Sequence, residues 1–223
     1  MFEKIMDIIF PRRCGFCNVI INEEYTCKKC KKKLEYICTK DILEEVKDKY
    51  FDYFISAYFY EDVIRIKILD FKFNNKKYLY KALSEELIYK IKSFTNFVDC
   101  VMFVPVSLKR YIERGYNQSK MIAKFVAENI DKPLMQFVFV KIKNNKKQSS
   151  LKIDDRIKNV KDVYKIIRKN AVKGKNILLI DDIYTTGATV NECSKILKQN
   201  GAKQVIVATV AKSVKVNKKL RRI

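Results

Sequence analysis

The sequence predicts an α/β protein in which a mainly parallel sheet is flanked by helices and preceded by a small cysteine-rich module. Two observations lead to this fold class. After residue 50, continuous apolar runs typical of strands buried on both faces alternate with amphipathic helical segments. Before that point, four of the seven cysteines fall within residues 14–30, and the composition shifts near residue 40. We therefore predict two domains, a small module at 1–45 and an α/β domain at 46–223.

The composition excludes several classes of chemistry. The 223 residues include no histidine, so a Ser-His-Asp triad, a Cys-His dyad and a histidine-ligated metal are all ruled out. The 47 basic and 25 acidic side chains give a formal charge of +22, which favours a nucleic acid, a phosphorylated metabolite or an anionic membrane as partner. Because 38 of the basic residues are lysine, a generic lysine-rich surface explains the charge as well.

The beginning of the chain predicts a soluble protein. Residues 2–10 have the pattern of one or two helical turns ended by Pro11, and their charged residues interrupt any signal-peptide core. No apolar run reaches the roughly 18 residues that a membrane span needs. We expect a cytoplasmic protein without membrane insertion, in which cysteines serve as metal ligands or buried thiols rather than in disulfides.

The cysteines of the module have the spacing of a structural zinc site. Cys14 with Cys17, and Cys27 with Cys30, form two C-x₂-C pairs separated by nine residues. Such pairs supply the four thiolates of a tetrahedral zinc site, and an iron–sulfur cluster is a less natural alternative at this spacing. The lysines in and after the second pair, within residues 28–33, face either a polyanion or solvent. The pattern of Cys100 and Cys193 predicts core thiols.

Periodicity assigns the remaining elements in order. A basic helical turn is predicted at Lys31 to Ile37. Strands are predicted at Tyr53–Phe59, Cys100–Val106, Phe137–Ile142, Ile177–Ile180 and Val205–Val210. Helices are predicted at 62–70, 77–93, Gln118–Ile130 and Thr189–Asn200, and residues 143–162 form a long polar, basic loop with some helix. The ligand crevice of such a parallel sheet lies at the carboxyl ends of its strands.

The segment from Ile177 to Thr189 is the most informative. Asp181 and Asp182 follow the apolar strand, and a hydroxyl-rich loop then leads into a helix: Tyr184, Thr185, Thr186, Gly187, Ala188 and Thr189. Helix N–H groups and threonine hydroxyls suit a phosphate, and Gly187 permits close backbone approach. The two carboxylates suit the vicinal diol of a ribose, and a divalent cation would bridge the remaining anionic groups. Helix capping would explain one acid but not the pair.

This segment resembles the 5-phosphoribosyl-1-pyrophosphate (PRPP) motif of type I phosphoribosyltransferases. Further pieces are similar to the ComF family of competence proteins within that superfamily: the four cysteines after Phe10-Pro11, Val104-Pro105-Val106-Ser107, Arg114-Gly115-Tyr116-Asn117-Gln118, and the spaced set Gln148, Leu151, Arg156, Asn159 and Val160. The resemblance covers nearly the whole chain. It departs from the family pattern at Lys146, where a threonine would be expected.

The resemblance implies a type I phosphoribosyltransferase-like fold, with PRPP bound together with Mg²⁺. It places Ser107, Lys109 and Arg110 near the pyrophosphate of PRPP, with Arg114, Asn117 and Gln118 alongside. Solvated surface is the alternative for Lys109 and Arg110, and helix capping is the alternative for Asn117. Residues 143–162 match a mobile catalytic lid that contains Arg156 as a pyrophosphate contact. Asp181, Asp182 and Arg156 are the implied catalytic residues.

Two functions from different classes follow. The first is phosphoribosyl transfer to an unknown acceptor. Residues 50–80, which include Phe71, Lys72 and Phe73, should recognise that acceptor, but they contain no motif that identifies it. The second is a non-catalytic accessory role in which the basic surface binds single-stranded DNA and PRPP only regulates. The family's association with natural transformation adds DNA-uptake proteins as partners. DNA binding would involve the lysines after Cys27 and the basic tail from Lys195 to Ile223.

Overall fold

The computed structural model describes residues 11–22, 24–40, 43–142 and 163–213. Its helices are α1 Lys28–Leu34, α2 Asp62–Phe73, α3 Leu79–Lys92, α4 Leu108–Arg114, α5 Gln118–Asn129 and α6 Ala188–Gln199. Its strands are β1 Glu44–Glu45, β2 Tyr53–Phe59, β3 Cys100–Phe103, β4 Phe139–Lys141, β5 Tyr164–Ile166, β6 Asn176–Tyr184 and β7 Gln204–Lys212. Short 3₁₀ turns occupy Glu35–Ile37, Thr95–Phe97 and Lys169–Ala171.

Five strands form one sheet in the order β1-β2-β7-β6-β3. The pairs β2–β7, β7–β6 and β6–β3 are parallel, and only the two-residue edge strand β1 runs antiparallel. Strands β4 and β5 form a separate antiparallel pair. The mostly parallel sheet with flanking helices confirms the predicted fold class.

Side chains of the central strand β6 alternate between two hydrophobic cores. Leu178 and Ile180 pack into one core with residues from α2, α3 and α5. Ile177 and Leu179 pack into the other core with residues from α6 and from the β4–β5 pair. Because successive strand residues point to opposite faces, this alternation covers the sheet on both sides. The prediction that Cys100 and Cys193 are core thiols is confirmed, since both are buried in the second core.

The cysteine-rich segment packs directly on the helices of the α/β domain. A Cβ added to Gly15 would lie 2.5 Å from Ala82 Cβ on α3, so the two backbones are in close contact. The Tyr25 amide donates to Glu85 Oε1 at 2.7 Å, and the Tyr25 ring meets Phe125 of α5 edge-on at 5.4 Å. Leu34, and Ile37 of the following 3₁₀ turn, also belong to the first core. The segment therefore shares a hydrophobic core with the domain that follows it.

Most predicted elements agree with the structure to within a few residues, but several differ. The strand predicted over Cys100–Val106 ends at Phe103, before Pro105, because proline cannot donate a ladder hydrogen bond. Strand β1, helix α4 and strand β5 were not predicted; all three are short and carry little periodic signal. The predicted helical turns at 2–10 and the predicted loop at 143–162 lie outside the described residues. None of the described helices is long and apolar enough to cross a membrane.

Candidate functional site

A cleft of about 720 Å³ opens at the carboxyl ends of the parallel strands. Its walls come from the segments that follow β2, β3, β6 and β7, and from the adjoining faces of α2 and α5. The lining residues include Tyr60, Lys72, Val104–Val106, Arg110, Arg114, Gln118, Ser119, Lys141, Tyr164, Asp181–Val190 and Ser213. The cleft therefore lies where a parallel sheet is expected to bind its ligand.

The loop between β6 and α6 forms one end of the cleft. Gly187 caps α6 with φ of 74°, a left-handed conformation that glycine adopts without steric cost. A Cβ at this position would also collide with the phenol ring of Tyr184, which packs against Phe54 at 4.4 Å. The Thr186 hydroxyl accepts from the Ala188 amide at 3.4 Å. Because the first turn of α6 carries no acidic residue, its N-terminal N–H groups and positive dipole end suit an anion such as a phosphate.

Asp181 and Asp182 lie inside strand β6, which continues to Tyr184, rather than after it. Asp181 Oδ1 accepts from Ser119 Oγ at 2.8 Å and from the Asp182 amide at 2.9 Å. Asp182 forms a 2.7 Å ion pair with Lys72 at the end of α2, and both side chains are largely buried. Burial and the neighbouring charge of Asp182 raise the pKa of Asp181 to about 7. Both carboxylates line the cleft and are held by these contacts.

Four cations line the same cleft and outnumber its two carboxylates. They are Lys72, Arg110, Arg114 and Lys141. Arg114 donates to Gln118 Oε1 at 3.1 Å, and desolvation lowers its pKa. Desolvation, together with the charge of Arg110, also lowers the pKa of Lys141 to about 8. The excess of cations over carboxylates gives the cleft a net positive charge, which favours an anionic ligand.

The structure brings most of the sequence-predicted site residues to the cleft. Asp181, Asp182, all of the loop residues Tyr184–Thr189, Arg110, Arg114 and Gln118 line it. Ser107 and Asn117 are buried helix caps, accepting from the Arg110 and Lys120 amides, and Lys109 is exposed; these three do not line the cleft. Asn117 also donates to the Val104 carbonyl at 3.2 Å, which fixes the start of α5 beside the end of β3. Arg156 and the rest of the predicted lid lie outside the described residues.

Sequence reasoning missed two contributors to the site. Ser119 contacts Asp181 across 62 positions, and Lys141 enters the cleft from the end of β4. For Ser119, the first turn of a helix next to the Arg-Gly-Tyr-Asn-Gln element was an available signal. For Lys141, the sequence carries no signal, because its position depends on how the β4–β5 pair packs against α6.

The four cysteine sulfurs form one cluster. The Sγ atoms of Cys14, Cys17, Cys27 and Cys30 all lie within 4.8 Å of one another, and those of Cys17 and Cys27 are 3.6 Å apart. Tetrahedral zinc with Zn–S bonds of about 2.3 Å places sulfurs about 3.8 Å apart, so the donor set and its spacing fit zinc. Burial and its three partner cysteines raise the pKa of the Cys30 thiol. A metal ion that balances these charges would favour the thiolate forms of the whole set.

Comparisons with known proteins show which proteins the chain is similar to. Residues 117–222 match the family model described as the phosphoribosyl transferase domain. The chain is 25% identical over 209 residues to competence protein F of Haemophilus influenzae, covering 90% of each chain. It is 30% identical to competence protein ComFC of Bacillus subtilis, covering 66% of this chain but only 58% of that protein. A purine phosphoribosyltransferase from Pyrococcus horikoshii matches with 18% identity and a TM-score of 0.36, over 60% of this chain and 74% of the other.

Proposed function

We propose that the protein binds PRPP with Mg²⁺ and transfers its phosphoribosyl group, on the premise that residues 117–222 match the phosphoribosyl transferase domain. One observation carries the proposal. A helix N-terminus rich in hydroxyl groups, at Thr185–Thr189, adjoins two carboxylates at Asp181 and Asp182 within one cationic cleft. The loop suits the 5′-phosphate of PRPP, because free N–H groups and the helix dipole favour an anion. The carboxylates suit the ribose hydroxyls as hydrogen-bond acceptors.

The distribution of acidic and basic side chains along the cleft would favour the departure of pyrophosphate. In the transfer, the bond from ribose C1 to the pyrophosphate oxygen breaks, and the acceptor forms the new bond to C1 and loses a proton to water. Asp181 and Asp182 would stabilise the positive charge that develops on the ribose ring. Arg110, Arg114 and Lys141 would stabilise the negative charge that collects on the leaving group. Bound Mg²⁺ would neutralise further phosphate charge. Catalysis would then rest on positioning and electrostatics.

Calorimetry with PRPP and Mg²⁺ tests the proposal. We expect wild-type protein to bind PRPP, and an Asp181→Asn/Asp182→Asn variant to bind at least about tenfold more weakly, because hydrogen bonds to charged carboxylates are stronger than those to a neutral amide, and a tenfold loss corresponds to about 1.4 kcal/mol. The matched control is Asp131→Asn, which changes an exposed aspartate at the end of α5, outside the cleft, and should bind normally. Equal affinity in wild type and double variant, or no binding by wild type, would contradict the proposal.

Supporting roles are proposed for the cysteine cluster and for DNA uptake. The cluster geometry supports one structural zinc ion per chain. Similarity to competence proteins supports a role in natural transformation. In that role, the protein would contact DNA-uptake proteins in the cytoplasm.

The alternative function, single-stranded DNA binding with PRPP as a regulatory ligand, is favoured by the surface of α1. Lys28, Lys29, Lys32 and Lys33 are exposed on this helix, and none of its residues is acidic. If DNA phosphates pair with these lysines, the logarithm of the association constant will fall linearly with the logarithm of the salt concentration, because counterions are released on association. Changing all four lysines to glutamine should reduce that slope by about 3, at about 0.7 per phosphate contact.

Filter binding or fluorescence anisotropy with an oligonucleotide across a salt series measures the slope. A matched control replaces four other exposed lysines with glutamine: Lys165, Lys169, Lys173 and Lys203. This control removes the same charge from other elements and should keep the wild-type slope. If both quadruple variants lose the same slope, DNA recognition by α1 is wrong and general surface charge explains binding.

A further inference from the structure

A second cavity of about 570 Å³ adjoins the PRPP cleft. It lies between the end of α2 and the turn after α4, and its lining residues are Lys72, Phe73, Asn75, Lys77, Glu113, Arg114, Gly115 and Tyr116. Lys72, Phe73 and Arg114 line both cavities. A molecule in the second cavity would therefore touch the same residues as a molecule in the cleft, beside Asp182, which is ion-paired to Lys72.

Positive charge and aromatic surface coincide in this second cavity. Three cations line it against one acid, Glu113. Two of the cations contact aromatic rings: Arg114 lies 5.2 Å from the centre of Phe73, and Lys77 lies 5.1 Å from that of Tyr116. Phe73 remains 60% exposed, although it sits at the junction of the two cavities. Tyr116, by contrast, is buried and anchored by donating to the Phe71 carbonyl, so it forms a fixed wall.

These features fit one class of ligand. An exposed phenylalanine that is flanked by cations stacks on planar rings, and the cations attract a negatively charged substituent on such a ring. We propose that the second cavity binds the acceptor of the transfer reaction, and that this acceptor is an aromatic ring carrying a carboxylate or a phosphate group. Only the role of this ligand as the acceptor rests on the proposed function, because binding of the aromatic anion itself does not require turnover.

Ligand pairs that differ in charge alone test the cavity. Titrating the full-length protein with 2-aminobenzoate, followed by its fluorescence, probes the carboxylate class, and its methyl ester is the neutral control. Calorimetry with phenyl phosphate against phenol probes the phosphate class, without the ribose 5′-phosphate that the loop of the cleft would bind. We expect one of the two anions to bind at least about tenfold more tightly than its neutral partner, the size expected for charge-assisted contacts in a partly buried site. The pair that shows this difference identifies the source of the charge.

Variants with matched controls locate the binding. Lys77→Gln and Phe73→Ala should each weaken binding of that anion by about fivefold or more. Lys76→Gln and Tyr78→Ala alter a lysine and an exposed tyrosine of the same turn that do not line the cavity, and should bind as wild type does. Neutral ligands that bind as well as the anions, no binding of either anion, or equal losses in the controls would each overturn the inference.

PRPP titrations on the same preparations separate this inference from the proposed function. If PRPP binds and neither anion does, the cavity inference fails alone. If an aromatic anion binds through Lys77 and Phe73 but PRPP does not bind, the proposed function fails and the cavity stands as an aromatic-anion site.

Discussion

A Cys14→Ser/Cys17→Ser variant is expected to lose its zinc and to unfold the segment over residues 11–40. Structural zinc contributes about 10 kcal/mol or more to the folding of small zinc modules, so little of this segment's structure should persist without it. The loss should not stay local. Gly15 packs on Ala82, and Tyr25 packs on Phe125, so unfolding exposes the outer faces of α3 and α5. We therefore expect a lower melting temperature for the whole protein.

Metal analysis and thermal denaturation together check this expectation. Wild type should contain about one zinc per chain, the double variant none, and a strong chelator should lower the melting temperature of wild type but not of the variant. Cys38→Ser is the matched control: it removes a thiol near the cluster in sequence but outside it in space. A zinc-free wild type with a folded segment, or a double variant with the wild-type melting temperature, would contradict the expectation.

The four-cysteine cluster and the loop that follows strand β6 could be predicted from sequence because each is local. Two C-x₂-C pairs nine residues apart can bring four sulfurs together without help from the rest of the chain. In the same way, Asp181 to Thr189 forms a strand, a loop and a helix start within nine residues. The periodic helices and strands were predicted for a related reason, since amphipathic spacing is written within a single element.

The features of the site and of the fold that could not be predicted from sequence depend on contacts between elements that are distant along the chain. Lys72 reaches Asp182 from α2, and Ser119 reaches Asp181 from α5, so the sequence shows neither pair. Phe71 and Phe73 illustrate the same limit. They lie two residues apart in one helix, yet Phe71 is in the core and Phe73 is exposed at the junction of the cavities. The relation of the cysteine-rich segment to the following domain was also hidden, since a composition shift does not reveal a shared core.

The structure shows where part of the chain's positive charge lies. The cleft and the second cavity beside it are lined by five cations: Lys72, Lys77, Arg110, Arg114 and Lys141. Desolvation lowers the pKa of Arg114 and of Lys141 and so disfavours their charged forms. This lowers the free energy of unfolding of the unliganded protein. Perturbed pKa values of this kind are typical of functional sites, whereas the lysines Lys28, Lys29, Lys32 and Lys33 of α1 are exposed to solvent.

Asp181→Asn is expected to stabilise the unliganded protein at neutral pH while weakening PRPP binding. Burial and the charge of Asp182 raise the pKa of Asp181 in the folded state to about 7, compared with about 4 in an unfolded chain. Below about pH 4 the carboxyl is protonated in both states and costs nothing. As pH rises from about 4 to about 7, the unfolded state gains stability by ionising first, so the free energy of unfolding of wild type falls by about 2 to 4 kcal/mol.

Denaturant unfolding of wild type and Asp181→Asn between pH 4 and 8 measures this difference. The two free energies of unfolding should agree near pH 4 and diverge as pH rises, with the variant more stable at pH 8. The neutral amide keeps an oxygen that can accept from Ser119 and from the Asp182 amide, so packing is preserved. Asp131→Asn, at an exposed carboxylate, should run parallel to wild type at every pH. If Asp181→Asn also runs parallel, Asp181 carries no raised pKa. A diverging curve combined with weaker PRPP binding would mean that this carboxylate is kept for its ligand at a cost to the fold.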